Sequence, residues 1–253
     1  MSRTKTFVTF LLMTYSALAQ ASITRVQSNS GAAGATTSIT VAYSSPNVAG
    51  NTLTAFAISS YSTNPGTPTI TDSQSQIWTT DVTDTRNAYD SLAVFHLFNC
   101  ASGTNSVTVH WPAIGNPIVI LFEHSGVGAP LFAVKPITDV TSSPIPTGAA
   151  FLPGGLLVFS FGAYEYISGG TFSSSWTGGV TRAGVSNGGA MVVYDSFPAA
   201  GGTFSNSISV SGSVNTAHGG LIAFGTGTSV QPNVTMISTN TPPPSGGVGI
   251  PPA

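Results

Sequence analysis

Apolar residues along this chain recur at every second position or in short unbroken runs, and clusters of Gly, Pro, Asn and Ser separate them. A period of two lines one face of a pleated strand, whereas a helix repeats near 3.6. The pattern predicts strands at 38–44 (SITVAYS), 53–59 (LTAFAIS), 68–71, 76–82 (QIWTTDV), 91–98 (SLAVFHLF), 106–111 (SVTVHW) and 117–124 (PIVILFEH). A second series follows at 131–140, 155–163 (GLLVFSFGA), 171–176, 190–197 (AMVVYDSF), 207–211 and 219–225. No window carries a helical period. The expected fold class is all-β, an antiparallel β-sandwich of jelly-roll or Ig-like type.

The second series repeats the first. "NTLTAFAI" (51–58) matches "GGLLVFSF" (154–161), and Trp78 falls on Trp176. "AVFHLFNCASGT" (93–104) matches "VVYDSFPAAGGT" (192–203), which sets His96 against Asp195. "IVILFEHSG" matches "GLIAFGTG", with Gly225 and Thr226 in place of Glu123 and His124. The order is kept throughout, as a duplication requires. The expected organisation is a duplicated domain over 22–229, with halves at about 36–127 and 131–227. The joint around 126–136 has no polar linker, so one body of two halves is preferred to two separate sandwiches.

Composition narrows the setting. Only 6% of the 253 residues are charged, against roughly 25% in an average soluble protein. The net charge of −2 leaves no basic face for nucleic acid. The first 21 residues carry Arg3 and Lys5, then an apolar run from Phe7 to Leu18, then small residues at Ala17, Ala19 and Ala21. That order is a secretory signal peptide, too short in its apolar part for a spanning helix. Its removal predicts a secreted protein with no transmembrane segment, four basic and eight acidic residues, and a net charge of −4. Residues 230–253 are rich in Pro, Gly and Ser and read as an extended, disordered tail. Cys100 is the sole cysteine, so no intrachain disulfide exists.

Four groups of residues are candidates for chemistry. Glu123, His124 and Ser125 are hydrolase residue types in a row. Strand neighbours point to opposite faces, so the three cannot converge as a triad. Glu123 remains either a capped strand end or one member of a carboxylate pair. Asp72, Asp81 and Asp84 lie in an oxygen-rich hairpin, which is turn chemistry or a calcium site; the spacing is not that of an EF-hand. No other cofactor is expected, because the four histidines lack metal-ligand spacing. Trp111, Tyr164 and Tyr166 stand at strand ends and are candidates to stack on sugar C–H groups, with Glu123 and His124 as polar neighbours. Trp78 and Trp176 match across the repeat and read as packing residues.

The order of short motifs resembles a largely uncharacterised family of exported bacterial β-sandwich modules. It comprises Ala49-Gly50-Asn51 with Leu53, Thr71-Asp72-Ser73 with Trp78, Val107-Thr108-Val109, and Glu123-His124-Ser125-Gly126. His124 stands where that family is aromatic. The resemblance covers about residues 24–226 and implies an extracellular binding or appendage module, with no catalytic residues. The function expected is a secreted, non-catalytic binding or adhesion module for carbohydrate or a cell-surface component. The alternatives are a structural subunit of an extracellular matrix or appendage, and a glycan-active hydrolase using Glu123.

Overall fold

The computed structural model describes residues 22–86, 88–134, 138–164, 171–183, 189–211 and 216–226. The expected signal peptide, the Pro-rich tail and Tyr166 lie outside the described residues. The chain is all-β, with every pairing between strands antiparallel and no helix among the described residues. Accordingly, no helix there is long and apolar enough to cross a membrane.

The first half contributes β1 (Thr24–Ala32), β2 (Thr36–Ala42), β3 (Thr52–Ser60), β4 (Thr69–Asp72), β5 (Thr79–Asp84), β6 (Asp90–Leu97) and β7 (Ser106–Ser125). The second contributes β8 (Val127–Val134), β9 (Thr138–Val140), β10 (Ile145–Leu152), β11 (Leu157–Tyr164) and β12 (Phe172–Ser173). It continues with β13 (Val180–Ala183), β14 (Ala190–Ser196), β15 (Gly202–Val210) and β16 (Ala217–Thr226).

Each half repeats one plan. The first builds a sheet of order β1-β7-β3-β6-β5, with β2 and β4 flanking the early part of β7. The second builds β8-β16-β11-β14-β13, with β10 and β12 flanking β15. The two strands predicted at 106–111 and 117–124 are the single strand β7. It passes from the small sheet into the large one near Gly115, where an added Cβ would collide with Ser59.

Period-two burial creates four layers. Ile39, Val41, Val107, Val109 and Trp111 of the small sheet pack on Leu53, Ala55, Phe95 and Leu121. The opposite face of the large sheet meets the second half through Phe56, Ile120, Phe122, Phe159, Phe161 and Phe224. Phe56, Phe122 and Phe159 meet with centroids 5.0–6.1 Å apart at steep angles, the arrangement aromatic quadrupoles favour. Beyond lies the second half's own core, with Tyr164, Val192 and Ile208 in one cluster and Leu152, Val158 and Leu221 in another. One residue joins the halves. Gly126 has φ 75°, and a Cβ there would lie 2.8 Å from the Ser22 carbonyl oxygen. A side chain is thus opposed both by backbone conformation and by space.

The repeat needs one correction. Phe56 lies opposite Val94 and Ile120, whereas Phe159 lies opposite Asp195 and Ile222. The structural counterpart of Asp195 is therefore Val94. The sequence match with His96 slips β14 by two residues, and loop-length differences between the halves allow it.

Three strands were not visible in the pattern. β1 (TRVQSNSGA) is polar and pairs with β7 alone. β10 contains Pro146 and Gly148, tolerated because it pairs only with β15 and is bulged between Pro146 and Ala149. β13 is a four-residue edge strand.

Candidate functional site

Alternation along β7 separates the Glu-His pair as its period requires. His124 continues the face of Ile118, Ile120 and Phe122 into the central core, and Glu123 continues the face of Val119 and Leu121. Glu123 is 0% exposed. Its carboxylate accepts hydrogen bonds from Asn47 Nδ2 (2.8 Å), Asn51 Nδ2 (2.6 Å), the Val48 amide (2.8 Å) and Gln27 Nε2. Burial alone would raise its pKa, but the Val48 amide and the three side-chain amides outweigh it and hold the carboxyl below its ordinary value. Glu123 is thus a sealed acceptor that fastens the loop between β2 and β3.

His124 donates from Nε2 to Asp195 at 2.8 Å, across the junction of the halves. Arg25 reaches the same carboxylate from β1 through Nε (2.7 Å) and its terminal nitrogen. Burial, and then the Arg25 charge, lower the His124 pKa to about 3, so the imidazole is neutral. His124 is therefore an internal strut, not a ligand contact. A second crossing lies toward the other end of β16. His218 bonds Asp90 at 2.7 Å, with Asp84 3.6 Å from its other nitrogen.

The remaining candidates are also accounted for. Trp111 is fully buried and its indole donates to Ser91 Oγ at 2.9 Å, so neither ring face is open to a sugar. Tyr164 is 4% exposed and packs on Phe172. Asp72, Asp81 and Asp84 are not brought together. Asp72 organises a turn through Gln74, Gln76 and Trp78, Asp81 pairs with His96, and Asp84 pairs with Arg86. Among the described residues, no group of three or more His, Cys, Asp or Glu side chains is placed to hold a metal ion. Cys100 is buried, and burial followed by the charge of Glu123 pushes its thiol up to about 11, which leaves it unreactive.

The surface does offer a polar groove of about 400 Å³ on the second half. Trp176 and Phe204, both half-buried, line it, along with the hydroxyls of Ser175, Thr177, Ser196, Thr203 and Ser205, and Asp195 lies in its wall. Trp176 packs against the second-half core and donates Nε1–H to the Ser205 carbonyl at 3.2 Å. A partly exposed indole beside five hydroxyls combines an apolar face with groups that both donate and accept. Trp176 reads from its match with Trp78 as a packing residue; the Ser and Thr residues around it are the signal that the chain itself offers. A second groove of about 340 Å³, lined by Ile23, Leu156, Phe197 and Pro198, has few polar groups to orient a ligand. Comparison of the chain with protein-family models, curated proteins and solved structures returns no match.

Proposed function

We propose that this protein is a secreted, non-catalytic binding module that holds a glycan of a cell surface or of extracellular material in the groove beside Trp176. The observation that carries the reading is the groove itself, in which one indole and five hydroxyl side chains surround a space of about 400 Å³. Small-ligand sites span roughly 300–1,000 Å³, so the size fits a short stretch of sugar. Asp195, the carboxylate in the groove wall, is committed to Arg25 and His124, which argues for binding rather than hydrolysis. Export rests on the order of charge, apolar run and small residues at the N-terminus. The test is a glycan array probed with the wild type and Trp176→Ala. Selective binding that the variant loses supports the proposal, and equal binding by the two overturns it.

One observation favours the structural-subunit alternative. β10 pairs on one side only, and its Phe151 is 71% exposed. An apolar edge strand is a template for a second chain. Sedimentation across a concentration series distinguishes this reading, which requires oligomers that Phe151→Lys abolishes.

A further inference from the structure

We infer that the groove takes an uncharged, hydroxyl-rich glycan, and that Arg25 is a positioning residue of this site rather than a counter-ion for its ligand. The inference rests on the glycan reading above. Asp195 is the one ionisable residue among those lining the groove, and Arg25 is the cation beside it. The Nε edge of the guanidinium is already occupied. Its Nε and terminal nitrogen hold the Asp195 carboxylate, and that terminal nitrogen also donates to the Gly178 carbonyl at 2.8 Å. Its carbon lies 5.3 Å from the centroid of the Phe122 ring. An acidic sugar competing for those two nitrogens would have to displace Asp195, whose side chain is 2% exposed, and would leave that carboxylate without its cation. Removing one partner from a buried ion pair is costly, so the arrangement selects against negative charge in the ligand.

The same fork has a second effect. Gly178 follows Thr177 of the groove and has φ 75°, so the turn after Trp176 bends sharply there. Arg25 ties that turn to Asp195 on β14. A flat, bidentate guanidinium fixes both the separation and the orientation of the groups it bridges, which a lysine ammonium cannot do. Arg25 comes from β1 in the first half and the groove belongs to the second. The site is therefore complete only when the two halves are packed, although all its ligand-facing groups lie in one of them.

The experiment uses the full mature chain. An array carrying both neutral and uronic- or sialic-acid glycans is probed first, and the strongest binder is then titrated at salt between about 50 and 500 mM. The expected hits are neutral, and their affinity changes less than about twofold across that range. Arg25→Lys is expected to weaken them about tenfold or more. It should also shift the Trp176 indole N–H resonance before any ligand is added, a sign of a displaced turn. Acidic hits that salt weakens and Arg25→Lys retains would overturn this inference while leaving the glycan reading intact. An array with no hits overturns the glycan reading itself. Should Arg25→Lys fail to fold, the charge preference and salt response of the wild type still decide the question.

Discussion

In the first half, the carboxylate of Asp72 gathers the Gln74 and Gln76 amides, the Trp78 indole and the Asn105 side chain. In the second half the same place holds a hydroxyl. Ile70 lies opposite Val109 as Phe172 lies opposite Val210, so Ser174 stands where Asp72 does. Ser174 makes two of the corresponding bonds, to Asn206 Oδ1 at 2.6 Å and from the Trp176 amide at 3.0 Å. Glu123 and Gly225 differ in the same way, an acceptor of four bonds against none. An ionised carboxylate has about four lone-pair sites and can hold a whole loop, while a hydroxyl holds one or two groups. The first half is therefore fastened from within. The second has a shorter turn, six residues from Asp72 to Trp78 but two from Ser174 to Trp176. Just past that turn, Arg25 fastens the chain from outside at Gly178, and the groove lies beside it.

The comparison breaks most visibly at Glu123. Glu123→Ala strands three side-chain amides and one backbone amide, and a loss of about 4 kcal/mol in urea unfolding is expected. A loss below about 1 kcal/mol would mean that water replaces the carboxylate and that the loop is not fastened by it. Asp195→Ala comes next, at about 3 kcal/mol, because it strips Arg25 and His124 of their shared partner across the halves. Glycan binding should be lost in any Asp195→Ala protein that still folds.

Acid sharpens the contrast between the two struts. His124 is held neutral down to about pH 3, whereas the unfolded chain takes up that proton near 6.5. Between these values the unfolded state binds more protons, so stability falls as pH drops from 6.5 toward 3, by at most about 1.4 kcal/mol per pH unit. The folded Glu123 carboxyl is held below its ordinary 4.5, so its contribution is lost as pH falls from that value. Denaturation midpoints measured from pH 7 to 3 should show both slopes, and His124→Asn should remove one proton's worth of the upper one. The smallest effect is expected from Asp72→Ser, which gives the first half the second half's residue. It should cost about 1 kcal/mol and weaken protection of the Trp78 indole N–H from exchange. Unchanged protection would show that packing, not the carboxylate, holds Trp78.

The strand class was legible because β3, β6, β11 and β16 are buried on both faces and read as short apolar runs, while β2 and the early part of β7 keep a period of two. The same period placed His124 and Glu123 on opposite faces. β1 was hidden because it is polar almost throughout, and β10 because Pro146, Gly148 and the exposed Phe151 mask the alternation that its burial follows. The site was harder to read. Trp111 reads as a strand end, yet β7 continues through Pro112 and carries the indole into the core. Trp176 looked like core because it matched Trp78, although the turn before it is four residues shorter. Arg25 and Asp195 are 170 residues apart and leave no local signature. Their contact follows only from how the two halves face each other.

The apolar groove that takes no part in the proposed binding has a mechanical meaning. Ser22 and Thr226, the first and last residues of the described chain, both line it. The start of β1 and the end of β16 thus meet at one place. A pull between those two points would load the ends of β1 and β16, not the stacked layers. A ligand pulling on the groove would instead send its load through the body, by way of Arg25 and the junction of the halves. The short path between those two strand ends and the long path to the site would then yield at different forces.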